Sequence, residues 1–549
     1  MPKVYYVSSE GSDRNSGLDK NAPFKTIQKA SDLTRPGDTV YVMNGTYKST
    51  LSNSILNITN SGQPNAWITY KAYPGHKPKL ESKGWTAIEV RGASYITIDG
   101  FTLVGNNDNV TLDYAISQKD NLNNPLTSGN GIGVVPLYQS DTIYPHHIVI
   151  RNNHVSKFGG GGIYTYSADY VTIENNTVHS NAWYAPYGNS GISNYQNWNF
   201  DRQPGYKMII RGNTAYDNKN FIPFYQVGVI TDGNGIIIDD SRNTQLNSEL
   251  GQYYGRTLVE NNIVYRNGGR GIHVFESDAV DIINNTTYQN SQTPNIQDGE
   301  ITAINASNVQ VYNNIIYAKT GLPANTISDA SNVAYDYNLI FNEAQFTGLT
   351  LNNKFGQDPQ FIDPSAGNFT LQAGSPAVNK GGGLTAGTDV RNVRRPQGAS
   401  VDIGAIEIDD IQIPDNFTRQ GSRQADILRG TVRADILEGK GGNDTLLGGA
   451  GNDLIVGGVG YDSLVGSRGN DTLVGGRGRD IFAFGYGHGQ DVIQDFEDRQ
   501  DQFDLPNNLR FDDLIIRQQR QDTLLKIDQR NFILLENTRS TQITETDFR

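Results

Sequence analysis

Seven aspartates, Asp426, Asp435, Asp444, Asp453, Asp462, Asp471 and Asp480, recur every nine residues without a slip. A packed helix repeats about every 3.6 residues and a strand about every two, so neither asks for that spacing. The segments around them read GKGGNDTLL, GGAGNDLIV, GGVGYDSLV, GSRGNDTLV and GGRGRDIFA. Glycines let a tight turn bend and present backbone carbonyls, the aspartate that follows adds charge, and the apolar residue two places later suits a core. Each unit is therefore one turn plus one short strand. The first two units, GSRQADILR and GTVRADILE, carry Gln424 and Arg433 at the fourth-position glycine, which leaves open whether they hold ions or serve as a cap.

These segments resemble the calcium-binding nonapeptide of RTX proteins. The resemblance implies a parallel β-roll in which two nonapeptides make one coil, with a calcium ion between repeats n and n+2. Asp444 then pairs with Asp462, Asp453 with Asp471, and Asp462 with Asp480, which makes these five aspartates the expected metal ligands and Ca2+ the cofactor. It also implies type I secretion through an uncleaved C-terminal signal, and DVIQDF and DQFDL resemble the segment that closes many RTX blocks. Scarce cytosolic calcium would leave the block unfolded for export, and external calcium would fold it, because metal binding is coupled to folding. The expected location is extracellular.

A chain of 549 residues, 36% hydrophobic, is long enough for more than one core, and its 60 glycines fit a turn-rich all-β protein. The net charge of -13 argues against nucleic acid and for divalent cations as partners. With no cysteine there is no disulfide framework. The start, MPKVYYVSSEGSD, has no basic segment followed by an apolar one, and no apolar run is long enough to span a membrane.

The first four hundred residues carry a looser repeat. Asn152-Asn153, Asn175-Asn176, Gly212-Asn213, Asn261-Asn262, Asn284-Asn285 and Asn313-Asn314 each adjoin a short β-branched segment such as NNTVHSN or INNTTYQN. Short strands with polar turns, recurring over coils of twenty-odd residues, predict a right-handed parallel β-helix. Stacked asparagines suit its turns, where they tolerate left-handed backbone and hydrogen-bond along the stack. Phe24, Ile27, Ala30 and Leu33 predict a short amphipathic helix ending before Pro36, placed to cover the first coil. This N-terminal stretch, through PGDTVYVMNGTY, resembles the cap of secreted β-helix proteins, including the pectate lyases of polysaccharide lyase family nine. DPQF, LQAGSPA and RRPQGASVDIGAIE resemble the closing segment of that group. The expected organisation is all-β: a right-handed parallel β-helix over 1–408, a linker over 409–420, a calcium-binding parallel β-roll over 421–484, and a cap with the export signal over 485–549.

Five segments, GIGVVP (131–136), GIYTYS (162–167), GISNYQ (191–196), GIIIDD (235–240) and GIHVFE (271–276), share one alternation and predict a single stacked sheet. Ile163, Ile192, Ile236 and Ile272 then point inward. One outward column reads Tyr164, Ser193, Ile237 and His273, and the next Val135, Tyr166, Tyr195, Asp239 and Phe275. Gln196, Asp240 and Glu276 follow at the turn, with Trp198, Arg242 and Arg270 close in sequence. On an acidic glycan, Tyr164, Tyr166, Tyr195 and Trp198 would stack on sugar rings while Arg242 and Arg270 take a carboxylate and Glu276 lines the groove. For β-elimination, Asp239 and Asp240 would hold calcium or orient the base, and His273, Arg270 or a tyrosine would move the proton. Lys157 is a second candidate base, because family nine lyases use a lysine. Those enzymes cluster several aspartates beside it, where this sequence offers Asp232, Asp239 and Asp240. Each residue also has a plainer role: the aspartates as turn caps, the arginines as ion-pair partners, the tyrosines as a stabilising ladder.

The leading expectation is therefore a secreted, calcium-dependent polysaccharide lyase acting on an acidic polysaccharide. A β-helix glycoside hydrolase using Asp239 or Asp240 with a second carboxylate, a C5-epimerase, and a non-catalytic adhesin or surface-layer protein remain open beside it.

Overall fold

The computed structural model describes residues 2–51, 53–342, 345–347, 352–372, 374–398, 400–408, 417–431, 434–484, 487–505, 509–527 and 531–548. The chain divides into two compact units, 1–410 and 411–549. Most of the expected linker, 409–416, and Arg433 lie outside the described residues, and Phe417–Gln420 is a strand of the second unit rather than linker.

The first unit is a right-handed parallel β-helix. Nineteen described strands form one connected sheet and eleven a second, with neighbours pairing coil to coil in parallel. Its core is built by repetition. Ile132 pairs with Ile163, Ile163 with Ile192, Ile192 with Ile236, Ile236 with Ile272 and Ile272 with Ile301. All six are fully buried, and burying a side chain of that size stabilises by about 1.5–3 kcal/mol. The same registers place Tyr164 opposite Ser193 and Ile237 opposite His273, and Tyr166 opposite Tyr195 and Tyr195 opposite Asp239, as the alternation requires.

Asparagines govern the turns. Asn152, Asn175, Asn261, Asn284 and Asn313 hold φ between 53° and 57°, the left-handed region that asparagine tolerates. The next residue in each pair is buried and joins a ladder: Asn153, Asn176, Asn213, Asn262, Asn285, Asn314 and Asn338 each donate a backbone N–H to the side-chain oxygen of the following rung. A second ladder runs through Asn181, Asn218, Asn267 and Asn290 and ends on Glu300, which accepts both the backbone and side-chain N–H of Asn290 at 2.7 and 2.6 Å. The helix Ile27–Ser31 seats Phe24, Ile27 and Ala30 in the core against the first strands. Leu33 lies past its end and is 38% exposed, because the helix stops before reaching it.

In the second unit strands pair at a separation of eighteen residues, Leu437 with Ile455, Leu446 with Leu464 and Ile455 with Leu473. The roll therefore has two nonapeptides per coil. Leu437, Leu446, Ile455, Leu464, Leu473 and Phe482, each two places after an aspartate, are buried in its core. An antiparallel set, Ile515–Gln519, Asp522–Lys526 and Phe532–Leu535, closes the sheet that continues through Gln490–Ile493.

Candidate functional site

A cavity of about 610 Å³ opens on the stacked face predicted from the five glycine-led segments. Tyr164 and Tyr166 from strand Ile163–Glu174, Ser193 and Tyr195 from strand Ile192–Asn197, and Ile237 and Asp239 from strand Ile236–Asp239 form its floor. Trp85, Asn130, Tyr187, Phe224, Tyr225 and Leu246 form its walls, and Asp232 enters from the loop before strand Ile236–Asp239. Tyr166 and Tyr195 stack with centroids 5.5 Å apart and planes 16° apart. Among the described residues no lysine, arginine or histidine lines it.

Two carboxyl groups share this space. Asp232 accepts from Thr231 Oγ1 at 2.7 Å and Asn234 Nδ2 at 2.8 Å, and Asp239 accepts from Gln245 Nε2 at 2.9 Å. Burial holds the Asp239 carboxyl well above the usual carboxylate range, and the neighbouring Asp232 charge adds to the effect. Burial raises Asp232 as well, opposed by its hydrogen bond from Thr231 and by the charge of Arg270. Burial thus raises both carboxyls, and the Asp232 charge makes ionisation of Asp239 harder still.

The other expected site residues lie elsewhere. Asp240 is buried and saturated: it accepts from Gln196 Nε2, from the backbone of Thr244 and Gln245, and from Thr244 Oγ1, at 2.7–3.0 Å. His273 is only 4% exposed and shares a 2.6 Å hydrogen bond with Thr302 Oγ1; burial keeps it well below the usual imidazole range, hence neutral. Arg270 binds Asp298 and the Thr231 carbonyl. Arg242 forms a two-pronged pair with Asp278 at 2.7 and 2.9 Å and also reaches Asn305. Glu276 contacts Thr244 and Asn305. Lys157 pairs with Asp108 at 2.6 Å. Trp198 stacks on Tyr144, at 5.0 Å and 13°, and packs near His146 and Phe200 rather than lining the cavity.

In the roll, Asp444, Asp453, Asp462, Asp471 and Asp480 form the predicted i to i+18 ladder. The backbone N–H of Asp444 donates to Asp462 Oδ1, that of Asp453 to Asp471 Oδ1, and that of Asp462 to Asp480 Oδ1, at 2.8–2.9 Å. The other oxygen, Oδ2, of all five is buried without a hydrogen-bond partner.

The family description "Pel9A-like, right handed beta helix region" matches residues 5–135, and the RTX calcium-binding nonapeptide repeat matches four overlapping segments within 420–490. The chain carries a Pel9A-like β-helix region and RTX calcium-binding repeats. The lacto-N-biosidase of Bifidobacterium longum subsp. longum is 27% identical over 357 residues, 54% of this chain and 20% of that protein. Pectate lyase PEL9 of Emericella nidulans is 41% identical over 78 residues, 14% of this chain and 18% of that enzyme. The chain thus spans about a fifth of the length of either relative. The solved structure of pectate lyase Pel9A aligns with 74% of this chain and 96% of its own at a TM-score of 0.45 and 16% identity.

The RTX repeats fit calcium on an observation of their own. Five buried carboxylate oxygens without donors are costly unless a cation meets them. Glycines keep each oxygen's surroundings open: a Cβ on Gly448 would lie 2.3 Å from Asp453 Oδ2 and 2.7 Å from the Gly466 carbonyl. An ion in this space meets one aspartate oxygen and backbone carbonyls, the hard oxygen set calcium prefers. At the first two repeats Oδ2 accepts from protein, although Asp435 Oδ1 is buried without a hydrogen-bond partner. Asp426 Oδ2 accepts from the Ser422 backbone and hydroxyl, and Asp435 Oδ2 from those of Thr431. At the other end the closing segments DVIQDF and DQFDL continue the ladder, which sequence reasoning did not assign to them: the N–H groups of Asp471 and Asp480 donate to Asp491 and Asp501. Both carry the available signal, a buried apolar residue, Ile493 or Phe503, two places on.

Proposed function

We propose that the β-helix unit is a glycoside hydrolase that cleaves an uncharged glycan, with Asp232 and Asp239 as its catalytic carboxyl pair. The observation that carries this reading is the juxtaposition of two carboxyls in one tyrosine-walled cavity whose lining holds no cationic side chain. Glycoside hydrolysis needs a carboxylic acid to protonate the leaving oxygen and a carboxylate to serve the anomeric carbon, roles that Asp232 and Asp239 would divide between them. Tyr166 and Tyr195 offer aromatic faces for sugar rings, and Asn130, Asn189 and Gln226 offer amides for hydroxyls. A separation near 5–5.5 Å between the carboxyls would make the second one a nucleophile; about 6.5–9.5 Å would leave room for an attacking water.

Elimination from a uronate, the leading sequence expectation, asks for a cation beside the substrate carboxylate and a base at C5. Arg242, Arg270 and Lys157 are each committed to a carboxylate of their own, which favours hydrolysis. The partial relative named lacto-N-biosidase supports the same class. Export by the type I machinery, with calcium folding the RTX roll outside the cell, belongs to the same proposal.

The test is a panel of neutral and uronate-containing oligosaccharides assayed for new reducing ends. Neutral substrates should be cut, and Asp232→Asn and Asp239→Asn should each lose about 10²–10⁴-fold. Cleavage confined to uronates with ultraviolet-absorbing products, or undiminished activity in both variants, would overturn it.

A further inference from the structure

The strap 244–246 carries two residues that line the cavity, Gln245 and Leu246. Nothing in its sequence makes it rigid: it is a single short turn, and Leu246 and Asn247 hold left-handed backbone at φ 53° and 54°. Its order comes from beneath. Asp240, the residue after Asp239, also sits in the left-handed region at φ 48°. That turn sends its carboxylate away from the cavity and under the strap, where Oδ1 receives the N–H and hydroxyl of Thr244 and Oδ2 receives the N–H of Gln245. Gln196, one coil earlier and also at φ 48°, donates to both Asp240 Oδ2 and the Gln245 carbonyl, at 2.8 and 3.1 Å. The strap is thus tied at both its amide and its carbonyl, and the free end of the Gln245 side chain reaches Asp239 Oδ1 at 2.9 Å.

We propose that Gln245 is a positioning residue that aims the Asp239 carboxyl into the cavity and stabilises its carboxylate form, and that Asp240 acts through it by fastening the strap. The inference rests on the hydrolytic reading of Asp232 and Asp239. The groups facing Asp239 are Asp232 from the preceding loop, Asp240 beside it, Glu276 at the end of the next strand and Tyr195 on the strand before. The three carboxylates, Asp232, Asp240 and Glu276, disfavour its ionised form, and the amide of Gln245 opposes them. Two adjacent aspartates therefore have separate tasks: one faces the substrate, and the other holds the donor that tunes it.

The test is carboxyl infrared titration of the full-length protein, with the Asp239 band assigned as the one lost in Asp239→Asn. It needs no substrate, so it stands even where the glycans assayed are not cut, whereas the hydrolytic reading fails on activity. Gln245→Leu, which keeps bulk on an accessible strap and removes the donor, should move the Asp239 titration up by about one pH unit, the worth of a hydrogen bond to a charged group. Whichever limb of the pH–rate profile belongs to Asp239 should move with it. Asp240→Asn removes a neighbouring charge, which lowers the Asp239 titration directly, and loosens the strap, which raises it; in the Gln245→Leu background only the charge effect remains, so Asp240→Asn should lower the Asp239 titration further there than in the otherwise unchanged protein. An unmoved Asp239 band in folded Gln245→Leu overturns the proposal. Additive shifts in the double variant overturn the route through Asp240.

Discussion

Replacing Asn262 with leucine removes the middle rung of a fully buried amide ladder without greatly changing its volume. Asn262 Oδ1 accepts from the backbone and side chain of Asn213, at 2.9 and 3.0 Å, and its Nδ2 donates to the Ile210 carbonyl and to Asn285 Oδ1, both at 2.9 Å. The Asn213 side chain retains the Ile173 carbonyl, and Asn285 Oδ1 retains the Asn262 backbone N–H. The Asn213 backbone N–H loses its acceptor outright. One orphaned buried donor costs about 1–3 kcal/mol, and each of the other lost bonds about 0.5–1.5 kcal/mol, so the substitution should destabilise the β-helix unit by about 3–5 kcal/mol. All four tryptophans, Trp67, Trp85, Trp183 and Trp198, lie in residues 1–410, so the guanidinium midpoint followed by tryptophan fluorescence reports this unit alone. Asn152→Gly is the control: the residue is exposed at φ 56°, which glycine adopts freely, and it should change stability by about 0.5 kcal/mol or less. A loss under about 1 kcal/mol in Asn262→Leu would refute the view that the ladder carries stability.

Burial raises Glu300, at the end of the second ladder, to about 8. A carboxyl raised above its unfolded value contributes stability that is whole below about pH 4.3 and lost as pH climbs through 8, so the Glu300 contribution to tryptophan-monitored stability should fall between about pH 5 and 8 and level off above it, and Glu300→Gln should flatten that slope. Hydrogen exchange across 435–484 should slow in millimolar calcium and quicken in chelator, and Asp462→Ala should weaken the response; identical exchange in both conditions would show that the orphaned oxygens do not hold ions. Tyr195→Ala should raise KM for a neutral glycan about tenfold or more, whereas Trp198→Ala, which lies off the cavity, should leave it unchanged; equal effects would misplace the binding face.

Much of this was legible in the sequence because both units are periodic. The nine-residue aspartate spacing marks the repeat, the resemblance to RTX proteins implies the coil of eighteen that the strand pairing bears out, and the asparagine pairs mark the turns. The glycine-led segments gave the register of Tyr164, Tyr166, Tyr195 and Asp239 because alternation along a strand leaves no other choice once one face is apolar. Loops have no such rule. Asp232 could be named only as a neighbour of Asp239, and Trp85, Tyr187, Tyr225 and Gln245 were invisible, since their approach depends on how long connections fold back over the face. Proximity in sequence misled for Trp198, Arg242 and Arg270. The first stacks on Tyr144, and the two arginines are claimed by Asp278 and Asp298.

Cleavage of a neutral oligosaccharide in H₂¹⁸O followed by mass spectrometry of the fragments tests the carboxyl-pair chemistry most directly. Hydrolysis by Asp232 and Asp239 predicts one ¹⁸O at each new reducing end, absent in Asp239→Asn. Fragments that carry no solvent oxygen and a mass lower by one water would contradict it.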